Sequence, residues 1–119
     1  MIIGTRYVLA VQNLAHSITY YKNKLGLNLE WEMDGWALLS REKFIIMLGE
    51  CKQDISAFET NNHSYFGYVE VKQIDDLYEE LTGNGVEVIT ELEDKPWGQR
   101  EFGIRTPDGH RIMFGSQND

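Results

Sequence analysis

Histidine, cysteine and serine are the residue types that most often carry catalysis or bind metals, and none lies in a recognisable motif here. His16, His63 and His110 are far apart, and no pair has the short spacing of a helical zinc motif. Cys51 is the one cysteine, which excludes an internal disulfide and a cysteine-cluster metal site. No serine lies in a Gly-x-Ser-x-Gly nucleophile elbow. Covalent catalysis therefore has no support in the sequence.

The first half of the chain predicts the order strand, helix, strand, strand, strand. Residues 6–11 are rich in β-forming types, and Asn13 is suited to cap a helix. Apolar residues then recur at helical spacing until Gly26, which ends the helix; they are Leu14, Ile18, Tyr21 and Leu25. Three strands are predicted next, at residues 27–32, 36–40 and 44–48, with turns at Asp34-Gly35 and Arg41-Glu42.

The second half repeats this order. After a polar linker at residues 51–64, strands are predicted at 65–71, 86–92, 99–105 and 111–115, and a helix lies between the first two. An offset of 60 pairs Val11 with Val71 and Leu14 with Ile74. We therefore predict an α+β chain that forms one domain, residues 1–119, from two βαβββ modules at about 1–55 and 62–119.

The charge balance bears on possible partners. The 119 residues include 11 Lys and Arg against 19 Asp and Glu, a net charge of −8. Such a chain repels nucleic acid and anionic membranes and attracts cationic small molecules. No apolar run is long enough to span a bilayer, and no signal-peptide pattern opens the sequence. We expect a soluble, cytoplasmic protein.

The duplicated pattern resembles the vicinal oxygen chelate superfamily of glyoxalases, bleomycin resistance proteins and extradiol dioxygenases. The matching segments are residues 8–21 (VLAVQNLAHSITYY), 24–27 (KLGL) and above all 95–114 (KPWGQREFGIRTPDGHRIMF). The last segment is similar to the PWG-x-R-x-F ending of the bleomycin resistance branch. The resemblance implies two curved mixed sheets that enclose a cleft.

Enzymes of this superfamily hold a divalent metal in the cleft, with ligands from the first and last strands of each module. The resemblance places Arg6, Met47, Phe66 and Met113 at those positions. Arginine offers no lone pair, phenylalanine has no donor atom and thioethers favour soft metals. We therefore expect neither metal nor other cofactor.

Strand alternation predicts which side chains face the cleft. We place Ser40 opposite Lys43 and Arg105 opposite His110, so that Trp36 faces Met47 and Phe102 faces Met113. The predicted wall consists of Trp36, Met47, Phe66, Tyr68, Phe102 and Met113, with the charged residues Arg6, Glu70 and Arg100. Glu70 either contacts the ligand or forms a structural ion pair with one of the two arginines. Trp97, in the loop at residues 93–98, either folds over the cleft mouth or plugs the end of the sheet.

An aromatic and methionine wall suits flat or amphipathic ligands. The sequence predicts a metal-free binding protein that sequesters a cationic aromatic antibiotic of the bleomycin class or a related metabolite. Two alternatives remain: a metal-free lyase or isomerase with Glu70 as base, and a small-ligand sensor module. We also expect a homodimer, because half a cleft would leave Trp36 and Phe66 exposed.

Overall fold

The predicted order of elements is confirmed in both halves of the chain. The computed structural model describes residues 1, 3–53 and 65–117, so most of the predicted linker at 51–64 lies outside the described residues. The first module consists of β1 (Tyr7–Val11), α1 (Leu14–Asn23), β2 (Asn28–Met33), β3 (Trp36–Arg41) and β4 (Phe44–Glu50). The second consists of β5 (Tyr65–Glu70), α2 (Ile74–Gly83), β6 (Glu87–Asp94), β7 (Gln99–Arg105) and β8 (Arg111–Gln117).

Local sequence signals set the ends of the helices. The Asn13 side chain accepts a hydrogen bond from the His16 backbone N–H at 3.0 Å and so caps α1. Gly26 and Gly85 follow the two helices at φ +75° and +85°, a left-handed conformation that glycine adopts without steric cost. The two modules therefore end their helices in the same way.

Each module forms one four-stranded mixed sheet. The strand orders are β1-β4-β3-β2 and β5-β8-β7-β6. In each sheet the first and last strands of the module pair in parallel, and the other neighbours are antiparallel. A helix covers one face of each sheet. We call the opposite face the open face.

Side chains of the first sheet divide cleanly between its two faces. The face towards α1 is buried and apolar; it includes Leu9, Val11, Ala37, Leu39, Ile46 and Leu48. On the open face, exposed fractions are 58 % for Val8, 60 % for Met33, 42 % for Trp36 and 37 % for Trp31. Alternation along β1 therefore directs Leu9 and Val11 towards α1 and Val8 towards the open face, which presents a large apolar surface.

The register of the β3–β4 hairpin differs from the prediction. Arg41 pairs with Phe44, so Trp36 lies opposite Gly49 rather than Met47. A shift of two residues leaves every side chain on its predicted face. The Trp36 ring lies against Gly49, where an added Cβ would come within 2.8 Å of it.

The register of the β7–β8 hairpin differs by one residue, which reverses the faces. Arg105 pairs with Arg111 and Phe102 with Phe114, because residues 106–110 form a five-residue loop. Two hydrogen bonds close this loop: the Thr106 N–H donates to the His110 carbonyl at 2.9 Å, and the His110 N–H donates to the Thr106 hydroxyl at 3.1 Å.

The predictions that Phe102 and Arg100 line the cleft are therefore wrong. Phe102 is fully buried under α2, stacked on Phe114 at 5.0 Å between ring centroids and edge-on to Tyr78 at 4.9 Å. Arg100 lies on the same side and donates to Asp75 of α2 at 2.9 Å and to Asp94 at 3.2 Å. Both residues stabilise the contact between sheet and helix.

The two modules meet at positions related by the offset of 60. The Asn84 side-chain amide donates to the Lys24 carbonyl at 3.0 Å, and the Tyr7 ring lies over Gly67. Residues separated by 60 occupy equivalent positions in the two modules. Contact between such residues is expected where a two-fold axis relates one module to the other. Among the described residues, no helix is long and apolar enough to cross a membrane.

We predict that Phe102→Ala lowers the free energy of unfolding by about 3–5 kcal/mol, the usual cost of removing a buried phenyl ring. His16→Ala, an exposed change on α1, should cost about 0.5 kcal/mol or less. Urea unfolding followed by circular dichroism measures both values. Equal losses for the two variants would contradict the assignment of Phe102 to the core.

Candidate functional site

A hollow of about 490 Å³ on the open face of the second sheet is the candidate site. It contains four of the predicted cleft residues, Phe66, Tyr68, Trp97 and Met113. Its other lining residues are Tyr7, Tyr65, Gly67 and Glu101. Among the described residues, the lining of the hollow is therefore mainly aromatic and includes one carboxylate, that of Glu101.

Two glycines allow tyrosine side chains to lie along the sheet in this hollow. An added Cβ at Gly115 would lie 1.8 Å from the Tyr68 hydroxyl oxygen. At Gly103 it would lie 2.9 Å from the Tyr65 hydroxyl oxygen, which also contacts the Thr90 hydroxyl at 3.3 Å. Any larger residue at these positions would displace the tyrosines from the sheet surface.

Glu101 lies at the base of the hollow and is only 5 % exposed. Its Oε2 accepts a hydrogen bond from the Tyr68 hydroxyl at 2.7 Å and another from the Trp97 indole N–H at 3.2 Å. Burial of the Tyr68 hydroxyl, its hydrogen bond to Glu101 and the negative charges of Glu101 and Glu70 raise the pKa of Tyr68 above its ordinary value. Tyr68 therefore stays protonated and remains a donor.

Trp97 is held over the hollow by a tight turn between β6 and β7. Within this turn the Gly98 N–H donates to the Lys95 carbonyl at 3.1 Å, and Gly98 has a φ of +89°. The indole is 64 % exposed, and the Lys95 ammonium lies 5.9 Å from its centroid. Of the two predicted roles, the exposed ring fits the mouth of a cleft rather than a plug in the sheet.

A bulge in β5 directs Phe66 towards the first module. The register with β8 shifts between Tyr65 and Gly67, and Phe66 lies within that shift. Its ring packs edge-on against Tyr7 at 5.6 Å and against His110 at 5.8 Å. The wall of the hollow therefore includes a residue of β1.

The remaining predicted residues lie elsewhere. Trp36 and Met47 are on the open face of the first sheet, Arg6 is exposed ahead of β1, and Glu70 is exposed at the end of β5. Over residues 65–117 and the described part of the first module, Glu70 forms no ion pair with an arginine. Sequence reasoning missed Glu101, although the correct register of β7 would have placed it on the open face.

The residues that the resemblance assigns to the metal positions, Arg6, Met47, Phe66 and Met113, do not fit a divalent ion. The register places Val8 rather than Arg6 beside Met47, and Tyr68 rather than Phe66 beside Met113. Of these side chains only the Tyr68 hydroxyl is an oxygen donor, and arginine offers no lone pair. The described ranges also contain no group of three or more His, Cys, Asp or Glu residues placed to hold a metal.

A larger cavity of about 820 Å³ lies between the modules on the helix side. Arg41 forms two hydrogen bonds to the Glu80 carboxylate there, at 2.8 and 3.0 Å. The hydrogen bond from Arg41 lowers the pKa of Glu80 below its ordinary value. The cavity is also lined by Glu42, Glu70 and Asp76 together with Lys43 and Lys72, so its wall has charges of both signs. The hollow around Glu101 is mainly aromatic and is therefore the better candidate for recognition of a flat ligand.

Comparison with known proteins agrees with this architecture. The model of the glyoxalase/bleomycin resistance protein/dioxygenase superfamily matches residues 5–114. A bleomycin resistance protein of Geobacillus stearothermophilus is 30 % identical, and the alignment covers 92 % of each chain.

Solved structures show the same fold. A glyoxalase/bleomycin resistance protein/dioxygenase from Alicyclobacillus acidocaldarius has a TM-score of 0.84 at 15 % identity, covering 98 % of this chain and 92 % of that one. The bleomycin-binding protein of Streptomyces verticillus, solved with copper(II)-bleomycin, has a TM-score of 0.76 at 20 % identity and covers 100 % and 98 %. The chain belongs to the glyoxalase/bleomycin resistance protein/dioxygenase superfamily.

Proposed function

We propose that this protein binds a flat, cationic small molecule of the bleomycin class, or a related metabolite, and sequesters it without chemical change or bound metal. The observation that carries the proposal is the aromatic hollow around the buried Glu101 carboxylate. Aromatic side chains stack on flat rings, and an adjacent carboxylate favours a positive charge on them.

Two further findings support the proposal. The Geobacillus relative is a bleomycin resistance protein, and the Streptomyces structure contains a bleomycin complex. The net charge of −8 would also steer a cation towards the protein.

A metal-free lyase or isomerase with Glu70 as base is less well supported. That mechanism requires a carboxylate enclosed by apolar side chains, which favours its protonated form. Glu70 is exposed at the end of β5, so it lacks this environment.

We also propose that two copies pair through their open faces to complete the site. Val8, Trp31, Met33 and Trp36 form an exposed apolar surface on the first sheet, and the hollow lies on the second. If the first sheet of one copy packed against the second sheet of the other, the apolar surface would be buried. Trp36 and Met47 of one copy would then lie opposite the hollow of its partner. A second copy of this chain is the partner that offers both a hollow to the apolar surface and an apolar surface to the hollow.

The first prediction for this function concerns binding kinetics. Bleomycin should quench tryptophan fluorescence, and added salt should slow association while leaving dissociation nearly unchanged, because exposed charges are screened. Trp97→Ala should speed dissociation and weaken binding by about 1–3 kcal/mol, as expected for an aromatic anchor. Stopped-flow fluorescence measures both rates from the remaining Trp31 and Trp36.

His16→Ala, an exposed change on α1, is the matched control and should bind as the parent does. The same protein should contain far less than one equivalent of Zn, Ni, Mn or Fe by elemental analysis. Unchanged dissociation from Trp97→Ala, or stoichiometric metal, would count against the proposal.

The second prediction concerns assembly. Light scattering at micromolar concentration should give about 28 kDa, twice the mass of one 13.8 kDa chain. Trp36→Glu should shift the protein to the single-chain mass, because it places a charge in the apolar contact. Glu79→Gln, exposed on α2, should leave the mass unchanged. A parent protein of single-chain mass would contradict pairing.

A further inference from the structure

We infer that the Oε1 atom of Glu101 is the recognition point for a cationic nitrogen on the ligand, with Tyr68 and Trp97 as the residues that position it. This inference rests on the proposed binding function and deepens it by naming the atom that selects the ligand. Glu101 was not among the residues that the sequence placed in the cleft.

The two carboxylate oxygens of Glu101 differ in their hydrogen-bond partners. Oε2 accepts both hydrogen bonds, from Tyr68 at 2.7 Å and from Trp97 at 3.2 Å. Within residues 1, 3–53 and 65–117, Oε1 accepts none. The atoms there that are fully buried without a partner are the hydroxyls of Tyr20 and Tyr21 and Nδ1 of His110. Oε1 is not among them, so it keeps some accessible surface, and Glu101 lines the hollow.

Among the described residues, Glu101 has no cationic partner. Glu101 is 5 % exposed, and carboxylates are rarely so buried unless they are paired with a positive charge. In the part of the chain that the structure describes, no Lys, Arg or His forms an ion pair with Glu101. Two neutral donors fix its orientation but leave its charge uncompensated. A cation that enters the hollow would supply the missing charge.

The hollow that Glu101 lines is aromatic. Its rings are those of Tyr7, Tyr65, Phe66, Tyr68 and Trp97. Aromatic faces attract cations, and a charge-assisted hydrogen bond is stronger where water is largely excluded. The ligand class that fits is therefore a flat ring system with a protonated amine or a similar cationic N–H group at its edge.

The experiment compares a cationic probe with its neutral counterpart. At about pH 8 carboxylates are ionised, 9-aminoacridine is a cation and acridine is neutral. The parent protein should bind the cation about tenfold or more tightly than the neutral ring. Fluorescence titration measures both dissociation constants, and bleomycin is titrated in parallel.

Glu101→Gln should remove the preference for the cation. The amide keeps an oxygen that accepts from Tyr68 and Trp97, and it presents an NH₂ donor to the hollow instead of a carboxylate oxygen. Glu79→Gln changes the net charge by the same amount from an exposed site on α2 and should keep the preference within about twofold. A preference retained in Glu101→Gln would overturn the inference and leave Glu101 a structural residue.

A measurement on the parent alone tests the same point without relying on the folding of a variant. In about 1 M NaCl, exposed charges are screened beyond about 3 Å. The preference for 9-aminoacridine should persist, because a direct contact with a buried carboxylate is screened much less. Its disappearance would assign the preference to the diffuse surface charge and overturn the inference.

The bleomycin titration separates this inference from the proposed function. If the parent binds bleomycin but shows no preference between the two acridines, the binding function stands and the role of Glu101 is wrong. If it prefers 9-aminoacridine through Glu101 but does not bind bleomycin, the role of Glu101 stands and the proposed ligand class is wrong.

Discussion

The five-residue loop between β7 and β8 decides on which side of the second sheet each side chain lies. Hydrogen bonds between Thr106 and His110 close the loop, and they set Phe102 opposite Phe114. A loop one residue shorter would exchange the two faces, because side chains alternate along a strand. Phe102 would then leave the core, and Glu101 would be turned towards α2. Both the core of the second module and its hollow depend on this register.

The open faces of the two sheets are built alike but present different chemistry. Gly49 in β4 and Gly115 in β8 each lie beneath an aromatic side chain, Trp36 in the first module and Tyr68 in the second. The shared arrangement agrees with the duplicated βαβββ order. The first open face is apolar, however, whereas Tyr68 in the second carries a hydroxyl that reaches Glu101. One sheet therefore offers an apolar surface and the other offers a polar anchor.

Several partly exposed carboxylates pair with arginine, and the buried Glu101 differs from them in this respect. Glu80 pairs with Arg41, and Asp75 and Asp94 with Arg100. The Glu80 pair joins the two modules, the Asp75 pair fastens the sheet to α2, and the Asp94 pair joins β6 to β7. Glu101 has neutral donors instead, so its charge remains available in an aromatic setting. The arginine-paired carboxylates therefore stabilise the fold, whereas the Glu101 carboxylate is suited to bind a ligand.

The sequence by itself determined the elements, their duplication and the superfamily, because helix caps, glycine stops and strand alternation act over a few residues. Four of the residues that it predicted for the cleft, Phe66, Tyr68, Trp97 and Met113, lie together in the hollow, and their role in binding stays a prediction. Only the tertiary structure decided the faces of Phe102, Arg100 and Glu101. Their placement depends on the count of residues in one hairpin loop, and a change of a single residue reverses the result. Local sequence patterns do not fix that count, because the hydrogen bonds that close the loop form only when the two strands are paired.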